Sequence, residues 1–573
     1  MPDRPADVAQ PGEPPRGGAS APITQRTHVV HNLRVPMRDG VELALDVLRP
    51  DLAGPFPTVL VRTPYDKTAT RVRTPLAEQL AQRGFAVAFN DCRGRFNSGG
   101  VFQPYFDEAN DGFDTVEWIA AQDWCDGNVG MLGGSYVGQT QWYAASQQPP
   151  HLKAIVPICS PPSTLWRNEP LFGGCFMLAH AEWMVRLGER TWQIADAADP
   201  LAEQKDYLDA LPIADMPGRA GVTSPWWDEM TEHPTFDGYW RRGSYDHGAM
   251  NVAALNITGW WDMNFPGAPL NFQAMNSRPV AAGQKLVIGP WPHAVNIERQ
   301  LSGIDFGEHA LIDYYDYVVR FFERRLKGAP NGVDGEKPVH IFVIGANEWW
   351  AEDAWPLPDA VETSFYFHSR GHANSLNGDG VLSLESPDAE PPDVYRYDPS
   401  SPTRIVWDVA GGPVDDRIAT MRNDCLCYTS ETLTEPIDVV GWVTCRIFAS
   451  SSAPDTDWYA RLVDVHPDGS ARFLCQGALR ARFRESFEHP TFLKPDEPTL
   501  FEFTMDACGV RFLPEHRVRI EIASSWFMQY ARNTNTGTAN FFRESTTAVA
   551  TQRIYHQTGL ASCVRLPVVP QRR

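Results

Sequence analysis

The sequence is short of positive charge. Lys and Arg number 50 against 71 Asp and Glu, a formal net charge of −21. Nucleic acids and anionic membranes are bound through clustered positive charge, so neither is an expected partner. Long hydrophobic runs are also missing, and no stretch approaches the ~20 apolar residues that a membrane-spanning helix needs. Residues 1–25 lack the apolar core of a signal peptide; rich in Pro, Gly and Ala, they read as a disordered tail. The 10 cysteines are scattered, and only Cys425 and Cys427 are close neighbours. Without a CxxC pair or a Cys/His set at zinc spacing, free thiols, a reducing cytoplasmic setting and no metal are expected. His368 and His372 lie four apart, but in a polar, glycine-bearing segment that does not suit a metal pair.

What is present is ample core material, with 43% apolar residues, 19 Trp and 29 Phe in 573 residues. That length exceeds a single core and predicts several domains. The most informative stretch is Val129 to Ser146, VGMLGGSYVGQTQWYAAS. Val129 to Leu132 suits a buried strand, Gly138 to Ala145 suits a helix, and Gly133-Gly134-Ser135-Tyr136-Val137-Gly138 lies between. A serine on a sharp strand-to-helix turn needs small neighbours, because the backbone is strained and closely packed there. The spacing is G-x-S-x-x-G, one residue longer than the usual nucleophile elbow, so a glycine-rich turn with an incidental serine would fit the hexapeptide equally well.

The surrounding chain decides between the two. Two alternating stretches flank Asp39-Gly40, a hairpin signal. Then follow a strand at Pro57 to Arg62, a helix at Pro75 to Arg83, a strand at Phe85 to Asn90, a helix at Asp111 to Gln122, the elbow, and a strand at Leu152 to Ile158. Such alternation predicts a parallel, doubly wound α/β sheet with its site at the carboxyl ends of the strands. From Ser160 to about Ala249 the alternation gives way to helical patches, Phe176 to Glu189 and Ala195 to Leu211, with several tryptophans; this reads as a helical cap inserted between strands. The α/β pattern resumes with strands at Ala253 to Thr258 and Lys285 to Gly289, a helix at His309 to Lys327 and a strand at Val339 to Ile344. After about Trp355 short alternating runs predict an all-β sandwich of jelly-roll type. The expected domains are therefore 26–159 with 250–354 as an α/β-hydrolase, 160–249 as the cap, and 355–573 as the β-domain.

An elbow serine is inert without a base, and the base needs a carboxylate to orient it. Ser135, Asp262 and His293 stand in the order Ser, acid, His, each just beyond an expected strand. Taken singly, Asp262 could be a helix-capping loop residue and His293 a loop histidine beside Trp291. Together with the elbow they read as a catalytic triad.

With these residues in view, the sequence resembles the cocaine esterase-like hydrolases, which share their architecture with X-prolyl dipeptidyl-peptidases and α-amino acid ester hydrolases. The matching segments are Val61-Arg62-Thr63-Pro64-Tyr65-Asp66-Lys67, Asp91-Cys92-Arg93-Gly94 with Ser98 and Gly100, Trp124-Cys125-Asp126-Gly127, Gly133 to Gly138, Gly259-Trp260-Trp261-Asp262 and Gly289-Pro290-Trp291-Pro292-His293. The resemblance implies an oxyanion hole built from the Tyr65 hydroxyl and the backbone N–H of Tyr136. Two donors aimed at the developing charge would contribute roughly 3 kcal/mol each. The α-amino acid ester hydrolases carry acidic residues where this chain has Val137 and Met263-Asn264-Phe265, so a cationic α-amine is a disfavoured substrate group. The expected function is a serine esterase acting through an acyl-enzyme on a small-molecule ester without cofactor, with Trp166, Trp261 and Trp291 as candidate pocket residues. The alternative is an amidase or X-Pro dipeptidyl-peptidase. A non-catalytic binding protein is disfavoured by the intact triad, and a homodimer is compatible with the sequence.

Overall fold

The computed structural model describes residues 18–571 except 70–71, 168–169, 193–207, 279–282 and 406–410. Most of the expected tail and most of the helical patch 195–211 therefore lie outside the described residues. The chain divides into two compact units, one holding the residues up to Ser163 with Tyr245–Pro358, the other Thr164–Ser244 with Asp359–Arg573. The inserted segment thus groups with the C-terminal region.

The first unit is a ten-stranded sheet with strands in the order β1-β2-β4-β3-β5-β6-β7-β8-β9-β10. These are Thr27–Pro36, Glu42–Pro50, Phe56–Thr63, Ala86–Asp91, Cys125–Gly134, Leu152–Ile158, Ala253–Trp261, Lys285–Pro292, Val339–Val343 and Glu348–Glu352, numbered β1 to β10 along the chain. Pairing is parallel from β4 across β3, β5, β6, β7 and β8 to β9. The β1–β2 hairpin adds antiparallel on one side and β10 on the other. Every residue of β3, β4 and β8 is buried, as expected of a sheet covered on both faces. Among the described residues five longer helices accompany it: α1 Pro75–Gln82, α2 Glu108–Ala120, α3 Tyr136–Ser146, α4 Gly267–Asn276 and α5 Tyr314–Lys327.

The apolar pattern extends the last helix back to His309, yet α5 begins at Tyr314. The intervening backbone is drawn into other bonds. The Ala310 carbonyl accepts the Trp291 indole N–H at 2.8 Å, and Ile312 exchanges two 2.8 Å bonds with the Asn296 side chain. Asp313 then caps α5 by accepting from the Asp316 amide.

In the second unit a twelve-stranded sheet network carries the C-terminal region. Several strands are longer than the short runs in the sequence suggest, Ile437–Ser451 being 15 residues and Thr499–Phe512 being 14. Thr164–Ser244 supplies the helix Leu178–Arg186, several shorter helical turns and a two-stranded hairpin, Leu171–Phe172 with Cys175–Phe176. It is joined to the β-region by a Met177–Tyr530 bridge and by the Asn540 amide donating to the Thr231 carbonyl. Trp166 adds to this contact by packing edge-on against Phe483 at 4.9 Å between ring centroids. Among the described residues no helix is long and apolar enough to cross a membrane. All ten cysteines are free and buried.

Candidate active site

Ser135 caps α3 with φ 59° and ψ −131°, a conformation that L-residues rarely hold and that surrounding structure must enforce. Its N–H donates to the Ile158 carbonyl at 2.8 Å, and its carbonyl accepts from the amides of Gly138 and Gln139. The turn is closed by two glycines. A Cβ on Gly133, at φ +148°, would stand 2.2 Å from a Val137 methyl, and one on Gly138 would stand 3.0 Å from Ser160 Cβ. Gly138 is thus the residue that lets the helix pass close to the end of β6, which explains why the second glycine can stand one place later than usual. Tyr136 opens α3, the end at which a helix dipole favours negative charge.

The Tyr136 side chain is buried and engaged elsewhere. Its hydroxyl donates to Glu108 Oε1 at 2.9 Å and accepts the Tyr105 amide at 2.9 Å. Glu108 Oε2 in turn lies 2.8 Å from Nη1 of the fully buried Arg62, whose Nε donates to Asn90 Oδ1. This buried ion pair anchors the start of α3 to the inner strands.

Asp262 follows β7 and His293 follows β8, and the parallel register that opposes Gly259 to Gly289 and Trp261 to Pro292 brings them side by side. His293 Nδ1 lies 2.6 Å from Asp262 Oδ1. The same oxygen accepts the Asn264 amide at 3.0 Å, while Oδ2 accepts the Thr258 hydroxyl at 2.8 Å. Burial opposes ionisation of Asp262, but the adjacent imidazole and the donated hydrogen bonds hold its carboxyl below the usual range. It is therefore an anion with its lone pairs directed.

Cys159 closes this corner. It holds φ 48°, its amide donates to the Ile257 carbonyl, its carbonyl accepts from the Asn264 side chain, and its thiol points at the His293 carbonyl at 3.5 Å. Burial and the neighbouring Asp262 carboxylate push the thiol's pKa well above its ordinary value, so it is a neutral donor. Nothing in the sequence marked Cys159, because its role depends on contacts with Ile257, Asn264 and His293, all far along the chain.

Tyr65 sits on the loop after β3. Its amide donates to Thr63 Oγ1, and the Pro64 carbonyl accepts from Nε of buried Arg95 at 2.9 Å. The next turn is tied to Asp91, which accepts the Lys67 amide at 2.7 Å and whose pKa burial raises to about 6. The motif residues Arg62 and Asp91 thus receive a physical role as supports of the elbow and of the Tyr65 loop.

The three tryptophans are placed differently from one another. Trp291 is fully buried beneath the histidine loop with its indole N–H given to the Ala310 carbonyl, and Trp261 is buried with its ring 5.5 Å from Phe306. Trp166 belongs to the other unit, packed among Phe236, Trp240, Phe483 and Phe487.

A mostly parallel sheet carrying a strained serine at a strand-to-helix turn, with an Asp–His pair beyond later strands, defines an α/β-hydrolase. Comparison with known proteins narrows the class. The family profile described as X-Pro dipeptidyl-peptidase (S15 family) matches residues 39–295, and that of the X-Pro dipeptidyl-peptidase C-terminal non-catalytic domain matches residues 331–564. Cocaine esterase of Rhodococcus sp. (strain MB1 Bresler) is 38% identical over 94% of this chain and 98% of its own. An α-amino acid ester hydrolase structure superposes with a TM-score of 0.84 at 27% identity, covering 96% of this chain and 98% of that one. An aminopeptidase from a marine sediment Thaumarchaeota archaeon also reaches 0.84, at 25% identity over 94% and 97% of the two chains. The chain belongs to the cocaine esterase-like family of serine carboxylic-ester hydrolases.

Proposed function

We propose that the protein hydrolyses a small-molecule carboxylic ester through an acyl-enzyme carried on Ser135. The observation that carries this reading is the 2.6 Å contact between His293 Nδ1 and Asp262 Oδ1. With Nδ1 held by the carboxylate, Nε2 is the nitrogen available to take the Ser135 proton and later return it to the leaving alcohol. Attack by Oγ forms the Ser–C bond and a tetrahedral oxyanion, which the Tyr65 hydroxyl and the Tyr136 amide would receive. Collapse expels the alcohol, and water activated by the same imidazole releases the acid. Asp262 fixes the ring and stays ionised throughout. No metal or organic group is needed for these steps. Similarity to cocaine esterase and to an α-amino acid ester hydrolase supports the ester bond as the target.

Among esters, those with a cationic α-amine are disfavoured. Val137 and Phe265 are buried apolar side chains, and the Asn264 amide is given to the Cys159 carbonyl, so no carboxylate stands at these positions. The match to the X-Pro dipeptidyl-peptidase profile supports a second reading, hydrolysis of an amide after proline. We further read the C-terminal sheet as a jelly-roll-like sandwich; strands such as Asp393–Tyr397 and Ala550–Gln557 alternate buried and more exposed residues as sandwich strands do.

A panel of benzoyl and short aliphatic p-nitrophenyl esters beside an X-Pro p-nitroanilide, assayed with wild type and Ser135→Ala, tests the proposal. Ester turnover that disappears in the variant, with the anilide untouched, is the expected result. Preferential anilide cleavage moves the protein to the peptidase reading, and turnover surviving in Ser135→Ala removes the nucleophile assignment.

A further inference from the structure

Away from the ester chemistry, the C-terminal unit gathers two histidines on one carboxylate. The strands Asp457–Val465 and Arg517–Ala523 pair antiparallel with Asp464 opposite Val518 and Val465 opposite Arg517. One step further along the same register brings His466 alongside His516, and the two-residue period of a strand puts Asp464 on the same face as His466. The turn residues fix the ends. His466 and Ser470 close the hairpin with the His466 amide donating to the Ser470 carbonyl at 2.9 Å, Asp468 caps it by accepting from Ser470, and Gly469 takes φ +83°. On the other side the His516 amide donates to the Leu513 carbonyl at 3.2 Å and its carbonyl accepts the Leu433 amide at 2.9 Å. Both histidines are therefore held by backbone that has little freedom.

The resulting donor set is compact. His516 Nδ1 lies 2.9 and 3.0 Å from the two Asp464 oxygens, His466 Nε2 lies 3.4 Å from Oδ2, and one ligand atom from each of the three residues falls within 4.8 Å of the others. Zinc binds imidazole nitrogen and carboxylate oxygen at about 2.0–2.2 Å, which spaces the ligand atoms of a tetrahedral ion about 3.3 Å apart. The observed distances bracket that value. The imidazole rings are 4.4 Å apart between centroids, close enough for one ion to be bound by both. Asp464 and His516 side chains are 10% exposed and His466 31%, leaving one side of the cluster open to solvent for a fourth ligand.

We propose that Asp464, His466 and His516 form a site for a divalent transition-metal ion of zinc type, bound through His466 Nε2, His516 Nδ1 and an Asp464 oxygen with water completing the shell. Ligation displaces the proton that His516 otherwise shares with Asp464, and that proton leaves to solvent. The ion clamps the 465–470 hairpin to the turn before Arg517, so its role is structural and independent of ester turnover. In the sequence the set is invisible as a motif, because one histidine comes from a turn some fifty residues after the Asp-x-His pair.

The test uses the full chain freed of metal by chelator and titrated with zinc chloride. Wild type should bind about one zinc per chain at this cluster, release protons, and melt at a higher temperature with zinc than without; cobalt substitution should give the visible bands of a tetrahedral nitrogen–oxygen site. His466→Ala and Asp464→Asn should weaken zinc binding by at least about tenfold while leaving ester hydrolysis unchanged. His466 is the most exposed of the three, so its truncation leaves the hairpin's backbone bonds in place. Failure of wild type to bind zinc overturns the proposal. So does zinc that binds both variants as it binds wild type, and if that zinc also inhibits hydrolysis it belongs instead to the Cys159–Asp262–His293 corner.

Discussion

The Asp262 carboxylate and the His293 imidazole meet at 2.6 Å although they lie at the ends of two different strands. Their contact depends on parallel pairing of β7 with β8, and the site's stability and activity both depend on what holds those strand ends. At Gly259 and Gly289 the two strands leave no room for a side chain beside Trp291. A Cβ on Gly259 would fall 2.1 Å from the Trp291 carbonyl, and one on Gly289 would fall 2.4 Å from the Trp291 ring. Gly259→Ala is expected to displace the histidine loop, lowering kcat by more than about tenfold, since misplacement by about 1 Å costs on the order of 100-fold. Active-site titration with a fluorophosphonate separates lost reactivity from lost protein.

Replacing the proposed nucleophile tests strain as well as chemistry. Ser135→Ala and Ser135→Gly should both abolish acyl-enzyme formation. Only Ser135→Gly relieves the φ of 59°, and it should raise stability over Ser135→Ala by about 1 kcal/mol, read from denaturant midpoints. Equal stability of the two variants would show that the turn stores no strain.

Tyr65→Phe removes one hydroxyl and nothing else. If that hydroxyl receives the oxyanion, kcat should fall by roughly 100- to 1,000-fold with little change in KM. A rise in KM at constant kcat would make Tyr65 a substrate-binding group.

Trp166→Ala distinguishes core from pocket. Its ring is enclosed by Phe236, Trp240, Phe483 and Phe487, so truncation should destabilise the second unit by about 3–5 kcal/mol. Calorimetry checks this. A changed acyl preference at unaltered melting temperature would instead assign Trp166 to substrate recognition.

Stability of the C-terminal region should depend on pH through His556. This buried imidazole lies 2.8 Å from Asp393 and 3.0 Å from Glu390, and Asp393 also accepts from Ser369 and Tyr428. Burial opposes its charge, but the two carboxylates raise its pKa above the ordinary value; burial likewise opposes ionisation of Asp393 and Glu390, which are nevertheless held below theirs. The raised histidine contributes stability that is full below about pH 6.5 and is lost as pH rises through its folded value. The depressed carboxylates contribute stability present above about pH 4 and lost as pH falls. Thermal melts should therefore peak between these limits, and His556→Gln should flatten the alkaline limb while lowering the maximum.

Much of the first unit was legible in the sequence, because strand–helix alternation, the Asp39-Gly40 turn and the glycines around Ser135 are local signals read within a dozen residues. Placement of Asp262 and His293 just past strands was legible for the same reason. The start of α5 was not. Apolar periodicity runs back to His309, but bonds from Trp291 and Asn296 capture the backbone of Ala310 and Ile312 before the helix can form. Nor does periodicity show that Thr164–Ser244 forms one compact unit with the C-terminal region, since helical patterning reports which face is apolar and not which surface covers it.

The sequence by itself determined the local geometry: an elbow that only small neighbours permit, and an acid and a histidine delivered to the ends of strands. Tertiary structure alone decided which distant groups meet. Strand register joins Asp262 to His293 and His466 to His516, a buried ion pair joins Arg62 to Glu108 beneath Tyr136, and Cys159 reaches the His293 backbone. Conformational preference acts over neighbouring residues, whereas register and side-chain pairing are settled by packing between segments far apart in the chain, and no local pattern encodes that choice.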